Sequence, residues 1–139
     1  MFDKILVPVN NSILSSKVLI NAVRFARDQK AELIVLNVEE PHAGAFSTAI
    51  VYHQDTTDVD ANPVIKEVKQ KLADVKDIQI SYRVAAGNAA DCIITVSETE
   101  RCNLIIIGSR GITGLTKLLA GSVSNGVADK ADIPVLIIK

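Results

Sequence analysis

The chain has 139 residues, of which 48% are hydrophobic and 22% charged, and its formal net charge is −1. This is the size and composition of one globular domain, and the low glycine and proline content of so apolar a chain excludes a disordered or fibrous protein. The near-neutral charge argues against a dedicated nucleic-acid binder. We therefore expect a single domain over residues 1–139 whose partner is a small molecule or another protein.

Five short apolar runs predict strands over residues 5–9, 32–38, 78–84, 104–107 and 135–138. Most of them lack the alternation of apolar and polar residues that a strand with one wet face shows, so we expect helices to cover both faces. Helix-like stretches separate the runs, which is the pattern of an α/β fold with a parallel sheet. The third run does alternate, which indicates an edge strand.

The first two helices are predicted between the first three strands. The first has apolar residues at helical spacing, namely Val18, Leu19, Ala22, Val23 and Ala26. The second is predicted to begin at Asn62, an N-cap that accepts from free amides, and at Pro63, which needs no hydrogen bond at the first helical position. Its expected buried stripe is Val64, Val68 and Leu72.

The last two helices are predicted to start at Asn88 and near Ser122, the second of them ending before Pro134. The residues of the third helix expected to face inward are Ile93, Val96 and either Cys92 or Ala89. Neither Cys92 nor Cys102 has C-x-x-C spacing, so reduced core thiols are favoured over a disulfide or a metal pair. With no secretory signal and no membrane-length apolar stretch in the sequence, we expect a cytoplasmic protein and no membrane partner.

The segment 39–60 is acidic and shows no sustained period, with five carboxylates and no Lys or Arg. A connection of this length inside a compact domain is either functional or mobile, and part of it is a candidate for extending the second helix backwards. Its histidines, His42 and His53, are eleven residues apart and match no compact metal pattern, so we expect solvated loop residues. We assign no catalytic residue and no metal ligand among the side chains.

The segment after the fourth strand carries the chemistry. Gly108-Ser109-Arg110-Gly111-Ile112-Thr113-Gly114 follows that strand, and Gly121-Ser122-Val123-Ser124 opens the last helix. Glycines allow close backbone approach, and free amides at a helix start attract an anion, so the segment predicts a phosphate cradle. Ser122 and Ser124 can add hydroxyl donors, and Arg110 or Lys117 can neutralise charge. Each residue taken singly fits a strand-to-helix turn or an N-cap, and it is their coincidence that favours phosphate binding.

Two common nucleotide motifs are absent. The chain contains neither G-x-x-x-x-G-K-[ST] nor G-x-G-x-x-G, which disfavours a P-loop NTPase and a dinucleotide enzyme. The spacing Gly108-x2-Gly111-x9-Gly121-Ser122 instead resembles the ATP-binding signature of the universal stress protein family. Lys4-Ile5-Leu6-Val7-Pro8-Val9, Gly87-Asn88-Ala89 and Asp132-Ile133-Pro134-Val135-Leu136 also resemble that family, so the likeness covers essentially the whole chain.

The resemblance implies an open five-stranded parallel sheet of order 3-2-1-4-5 with helices on both faces, a Rossmann-like fold of the adenine nucleotide alpha hydrolase type. It also implies a dimer and, in one branch of the family, bound ATP or AMP. The phosphates would lie against Gly108, Ser109, Arg110, Gly111, Ile112, Thr113, Gly114, Gly121, Ser122, Val123 and Ser124. Mg²⁺ would be held through the phosphates alone.

By the same resemblance, the adenosine end would lie near Pro8, Val9, Asn10 and Val38, with Val9 and Val38 sandwiching the base. The family usually has Asp-Gly-Ser after its first strand, whereas this chain has Asn10-Asn11-Ser12, which keeps hydrogen bonding and loses the charge. Two roles stay open for Asn10, contact with the nucleotide or capping of the first helix alone.

The last strand is uncharged until Lys139 and would be an edge of a 3-2-1-4-5 sheet. An apolar edge invites pairing with another chain, so we expect a homodimer through Val135, Leu136, Ile137 and Ile138. The function that these features favour is a nucleotide-dependent regulatory or interaction module of the stress response. The alternatives are a slow ATPase of the same fold and a protein-interaction module without nucleotide.

Overall fold

The computed structural model describes residues 1–10, 13–40, 51–54, 57–109 and 122–139. The strands in these ranges are β1 (Lys4–Pro8), β2 (Glu32–Glu39), β3 (Val51–Gln54), β4 (Ile80–Ala86), β5 (Leu104–Gly108) and β6 (Val135–Ile138). The helices are α1 (Ile13–Gln29), α2 (Thr57–Ala61), α3 (Pro63–Lys71), α4 (Ala89–Thr99) and α5 (Ser122–Lys130).

The described strands form one sheet of order β3-β4-β2-β1-β5-β6. Five neighbouring strands are parallel, in the order β4, β2, β1, β5 and β6. They correspond to the third, second, first, fourth and fifth apolar runs of the sequence, so the predicted α/β fold and its order 3-2-1-4-5 are confirmed. The prediction that the third apolar run lies at an edge is wrong for the complete sheet, because β3 pairs antiparallel with the outer side of β4, from Val51 opposite Ala86 to Gln54 opposite Arg83. The acidic segment thus contributes strand β3 and most of the short helix α2, where we expected a loop or a backward extension of the second helix. Helix α2 ends one residue before the cap Asn62, so it precedes α3 as a separate helix.

Successive side chains of the central strands point to opposite faces of the sheet, which divides the core into two layers. Leu33 and Val35 of β2 face the layer formed with α1, α2 and α3, whereas Ile34 and Leu36 face the layer formed with α4 and α5. Because both faces are covered, β1, β2 and β5 are buried almost along their whole length, as near-continuous apolar runs predict.

The predicted caps of α3 and α4 are confirmed. Asn62 is extended, and its side-chain oxygen accepts from the Ile65 amide at 3.0 Å. Asn88 accepts from the Asp91 amide at 3.1 Å in the same way. The predicted stripe of α3 is partly wrong, because the buried residues are Ile65 and Val68, three apart, while Val64 and Leu72 are only partly buried. In α4, Ile93 and Val96 are buried as predicted, and Cys92 and Ala89, of which only one was expected to face inward, are both buried.

Both cysteines are free and buried in the core layers, as predicted. Burial in apolar surroundings disfavours a thiolate and raises the pKa of Cys92 to about 11 and that of Cys102 to about 12. Close to Cys102, Glu100 accepts from the buried guanidinium of Arg83 through two bonds of 3.1 and 3.2 Å, and Lys4 lies 3.9 Å from the same carboxylate. This buried ion pair joins Arg83 of β4 to Glu100 at the end of α4.

Candidate functional site

The predicted site lies where the chain crossovers change from one face of the sheet to the other. The crossover after β1 runs through α1 on one face, and the crossover after β5 runs through α5 on the opposite face. Since β1 and β5 are adjacent parallel strands, their carboxyl ends flank the crevice in which open α/β sheets bind ligands. Of the predicted residues, Pro8, Val9 and Asn10 lie at the end of β1, and Gly108 and Ser109 at the end of β5.

Asn10 is joined to the start of α1 by a reciprocal pair of hydrogen bonds. Its backbone amide donates to the Ser15 hydroxyl at 3.0 Å, and that hydroxyl donates to the Asn10 side-chain oxygen at 2.8 Å. Ser15 is buried, so the pair fixes the orientation of the Asn10 side chain. The structure thus shows Asn10 held to the start of α1 through the Ser15 hydroxyl, while helix capping and contact with a nucleotide stay predictions.

Two buried asparagines lie next to the end of β1: Asn37, which sequence reasoning missed, and Asn62, which it predicted only as a helix cap. The Asn37 side-chain amide donates to the Val9 carbonyl at 2.9 Å, and the Asn62 side-chain amide donates to the Asn37 side-chain oxygen at 3.0 Å. Asn37 and Asn62 are only 6% and 5% exposed. With the cap bond from Ile65, these contacts form a chain, here called the asparagine relay, that runs from β1 through β2 to α3.

A signal for the relay is present in the sequence. Asn37 interrupts the apolar run of β2, and a polar group at a position covered by a helix must be hydrogen-bonded or it costs folding free energy.

The same edge of the sheet carries two carboxylates that contact the starts of the flanking helices. Glu39 accepts from the Asn62 amide at 2.9 Å, and Glu40 accepts from the backbone amide of Ala89, at the start of α4, at 3.3 Å.

The adjoining turn between β4 and α4 requires a glycine. Gly87 has a φ of 144°, a conformation that L side chains rarely adopt. Its amide donates to the Glu39 carbonyl at 3.0 Å, which ties this turn to the end of β2.

At the phosphate end, α5 begins at Ser122, as predicted. Ser124 is buried, and its hydroxyl donates to the Ser109 carbonyl at 3.4 Å, so it ties the first turn of α5 to the end of β5. The Ser109 amide donates to the Ile138 carbonyl at 2.8 Å. The Val123 side chain is buried in the core layer that α4 and α5 form, so only its backbone can contribute to a site. The remaining predicted residues of this end lie outside the described residues: Arg110, Gly111, Ile112, Thr113, Gly114, Gly121 and the side chain of Ser122.

The expected sandwich of a base between Val9 and Val38 is wrong. The two side chains are 1% and 5% exposed, and they belong to the core layers on opposite faces of the sheet. Because residues at odd and even strand positions project to opposite faces, no flat group can lie between them. Val9 and Val38 contribute a fixed backbone at the strand ends instead.

In the described part of the chain, no three His, Cys, Asp or Glu side chains are grouped so that they can hold a metal ion. No helix among the same residues has the length and apolar character needed to cross a membrane.

The comparison with protein families decides the identity. The model of the universal stress protein family matches residues 1–139. The chain belongs to the universal stress protein family. Universal stress protein YxiE of Bacillus subtilis is 37% identical to it over 149 aligned positions, which cover the whole of both chains.

Solved structures of the family share the fold. A universal stress protein in complex with cAMP superposes with a TM-score of 0.72 at 20% identity, covering 99% of this chain and 96% of the other. The universal stress protein from Archaeoglobus fulgidus in complex with dAMP gives a TM-score of 0.70 at 22% identity, covering 99% and 98% of the two chains. At these identities, the comparison shows a common architecture.

Proposed function

We propose that this universal stress protein binds an adenine nucleotide, ATP or AMP, in the crevice between the carboxyl ends of β1 and β5, and acts as a nucleotide-dependent regulatory module. One observation carries the proposal: the two ends of the glycine-rich motif, Gly108 at the end of β5 and Ser122 at the start of α5, belong to the elements that flank the point where the crossovers change face. The free amides and the dipole of a helix start favour phosphate there. Relatives of the same fold, crystallised with cAMP and dAMP, support the adenine nucleotide class.

The backbone at the end of β1, where we place the adenosine, is held rigidly on both sides, and this supports the proposal. The Val9 amide donates to the Leu36 carbonyl at 2.8 Å, and the Val9 carbonyl accepts from Asn37. A backbone held on both sides presents fixed groups to a ligand, which lowers the entropy lost on binding. Asn10 follows directly, with its side chain fixed by Ser15.

The proposed site binds Mg²⁺ together with the nucleotide. In our proposal Mg²⁺ is carried by the phosphates of ATP, because the residues described here hold no cluster of metal-ligating side chains. Backbone amides at the start of α5 donate hydrogen bonds to the phosphate oxygens.

Calorimetry of Mg-ATP binding tests the site. Gly121→Asp places a carboxylate and a side chain where the motif requires close approach of the backbone to phosphate, so binding should fall below detection. Ala128→Asp adds the same charge at an exposed position later in α5, and it should bind like the unaltered chain. Circular dichroism of all three proteins checks the fold. Equal binding by both variants contradicts the site.

We propose further that the protein acts as a homodimer through β6. This strand pairs with β5 on one side, and within the described residues no strand covers its other side. Leu136 is 38% exposed, and Val135, Ile137 and Ile138 are partly buried. A short apolar edge strand of this kind favours antiparallel pairing with a second copy.

The structure around Asn10 supports a second candidate, an interaction module without nucleotide. Where the family usually has an aspartate, Asn10 carries no charge, and its side chain already accepts from Ser15. Addition of ATP or AMP to the purified protein distinguishes the two, since only the nucleotide-binding module gains bound nucleotide.

A further inference from the structure

A groove of about 380 Å³ separates α1 from the end of α3 and the residues after it, and it shares no residue with the nucleotide site. Its floor is apolar. Leu19 and Val23 are buried, Leu72 and Val75 are partly buried, and Ile20 continues the apolar surface at the lip, where it is 56% exposed. This volume falls within the range of sites that hold small ligands.

Three cations line the same groove, and two of them are already neutralised. Arg27 makes a two-point pair with Asp77, and Lys71 pairs with Glu67 at 3.3 Å and donates to the Ser16 hydroxyl at 3.0 Å. Arg24 makes no ion pair with any residue in the described part of the chain. The lining therefore leaves one positive charge without a counter-charge.

We propose that this groove binds a single-chain amphiphile with one negative charge, of the class of the medium-chain fatty acids. The alkyl chain lies along the apolar floor and covers Ile20, and the carboxylate takes a two-point contact with the guanidinium of Arg24. Because Asp77 and Glu67 neutralise Arg27 and Lys71, the groups around the groove carry one net positive charge, that of Arg24. This charge matches a ligand with a single negative charge better than a nucleoside triphosphate.

The test is an NMR titration of ¹⁵N-labelled protein with dodecanoate, kept below its micelle concentration and without nucleotide. We expect saturable binding of one molecule per chain, with amide shifts confined to α1 and residues 71–77. From octanoate to dodecanoate, affinity should rise by at most about fourfold for each added methylene. Dodecanol should bind more weakly than dodecanoate, because it lacks the charge that pairs with Arg24.

Two variants assign the binding to the groove. Arg24→Gln should weaken dodecanoate binding about fivefold, the upper range for one exposed ion pair. Ile20→Ser should weaken it by a similar factor of roughly five through lost apolar contact. Arg101→Gln removes an equally exposed arginine elsewhere and should leave the affinity unchanged.

The proposal is overturned by shifts that never saturate, by butyrate binding as tightly as dodecanoate, or by equal affinity in all three variants. It is also overturned if an acidic amphipathic peptide shifts these amides and dodecanoate does not. Because no nucleotide is present, the outcome is independent of the nucleotide site.

Discussion

Asn37 donates from its side chain to the carbonyl of Val9, and this 2.9 Å bond joins β2 to the end of β1 inside the core. Asn37 in turn accepts from Asn62, the N-cap of α3, so one buried side chain holds the strand end and the helix start together. Each side-chain amide of the asparagine relay donates a hydrogen bond to the next member, Asn62 to Asn37 and Asn37 to Val9. Its members therefore contribute to stability as a connected set.

Asn37→Ala should destabilise the fold by about 2 kcal/mol, because it leaves the Val9 carbonyl and the Asn62 amide with fewer partners in a buried site. Urea unfolding measures the change. Asn21→Ala is the control, since Asn21 donates to the Lys17 carbonyl near the surface, and it should cost less than about 0.5 kcal/mol. Equal losses of unfolding free energy in the two variants would show that the asparagine relay contributes no more to stability than a hydrogen bond near the surface.

The buried pair of Arg83 and Glu100 supports a second prediction. Glu100→Gln keeps the shape and removes the charge that compensates the guanidinium, so it should cost about 3 kcal/mol. Asp91→Asn makes the same change in the exposed pair with Lys130, at 2.8 Å, and should cost less than about 1 kcal/mol. Guanidinium chloride unfolding of both variants is the measurement, and a similar cost for both refutes the prediction.

The buried thiols predict a loss of stability at alkaline pH. The folded-state pKa values, about 11 for Cys92 and about 12 for Cys102, lie above the ordinary value of 9.0. Between pH 9 and pH 11 the unfolded chain releases thiol protons that the folded chain retains. Stability should therefore fall with rising pH by up to about 1.4 kcal/mol per pH unit for each thiol.

Urea unfolding at pH 8 and pH 10 checks this expectation for the thiols. The double variant Cys92→Ala and Cys102→Ala should lose less stability over that interval than the unaltered chain, even though its stability at pH 8 is lower. In the folded protein at pH 8, neither thiol should react with a thiol reagent, and both should react after unfolding. Identical pH slopes for the two proteins would contradict the assignment.

The exposed side chain of Leu136 tests the proposed dimer. Leu136→Lys puts a charge in the apolar edge strand β6 and should convert a dimer into a monomer at micromolar concentration, as judged by sedimentation velocity. Ile20→Lys makes the same change at an exposed hydrophobic residue of α1 and should leave the dimer intact. A monomer in the unaltered chain, or a dimer in both variants, counts against pairing through β6.

The sequence was most informative where one local rule decides the structure. The apolar runs of β1, β2 and β5 and the caps Asn62 and Asn88 were predictable, because burial on both faces and N-terminal hydrogen bonding leave direct patterns. Strand β3 was not predictable, since four residues are too few to show a period and its pairing with β4 is a long-range contact. The asparagine relay was not predictable either, because it depends on tertiary contacts between residues far apart in the sequence.

Side-chain direction limited what the sequence could say about the site. The ends of the first and fourth predicted strands, Val9 and Ile107, each lie within one residue of the observed ends, Pro8 and Gly108. Parallel strands bring these carboxyl ends to one edge of the sheet, so the place of the candidate site could be predicted. The sandwich of Val9 and Val38 failed because each side chain points into a different core layer, which depends on strand register. The outcome for Asn10 depended on the position of Ser15, five residues later in the chain.

Native mass spectrometry of the gently purified chain, before and after addition of Mg-ATP or AMP, shows whether the protein binds an adenine nucleotide. We predict a dimer that carries one adenine nucleotide per subunit, and no bound nucleotide in the Gly121→Asp variant. A chain that remains without nucleotide after ATP and AMP are added, or a Gly121→Asp variant with the same occupancy as the unaltered chain, would contradict it.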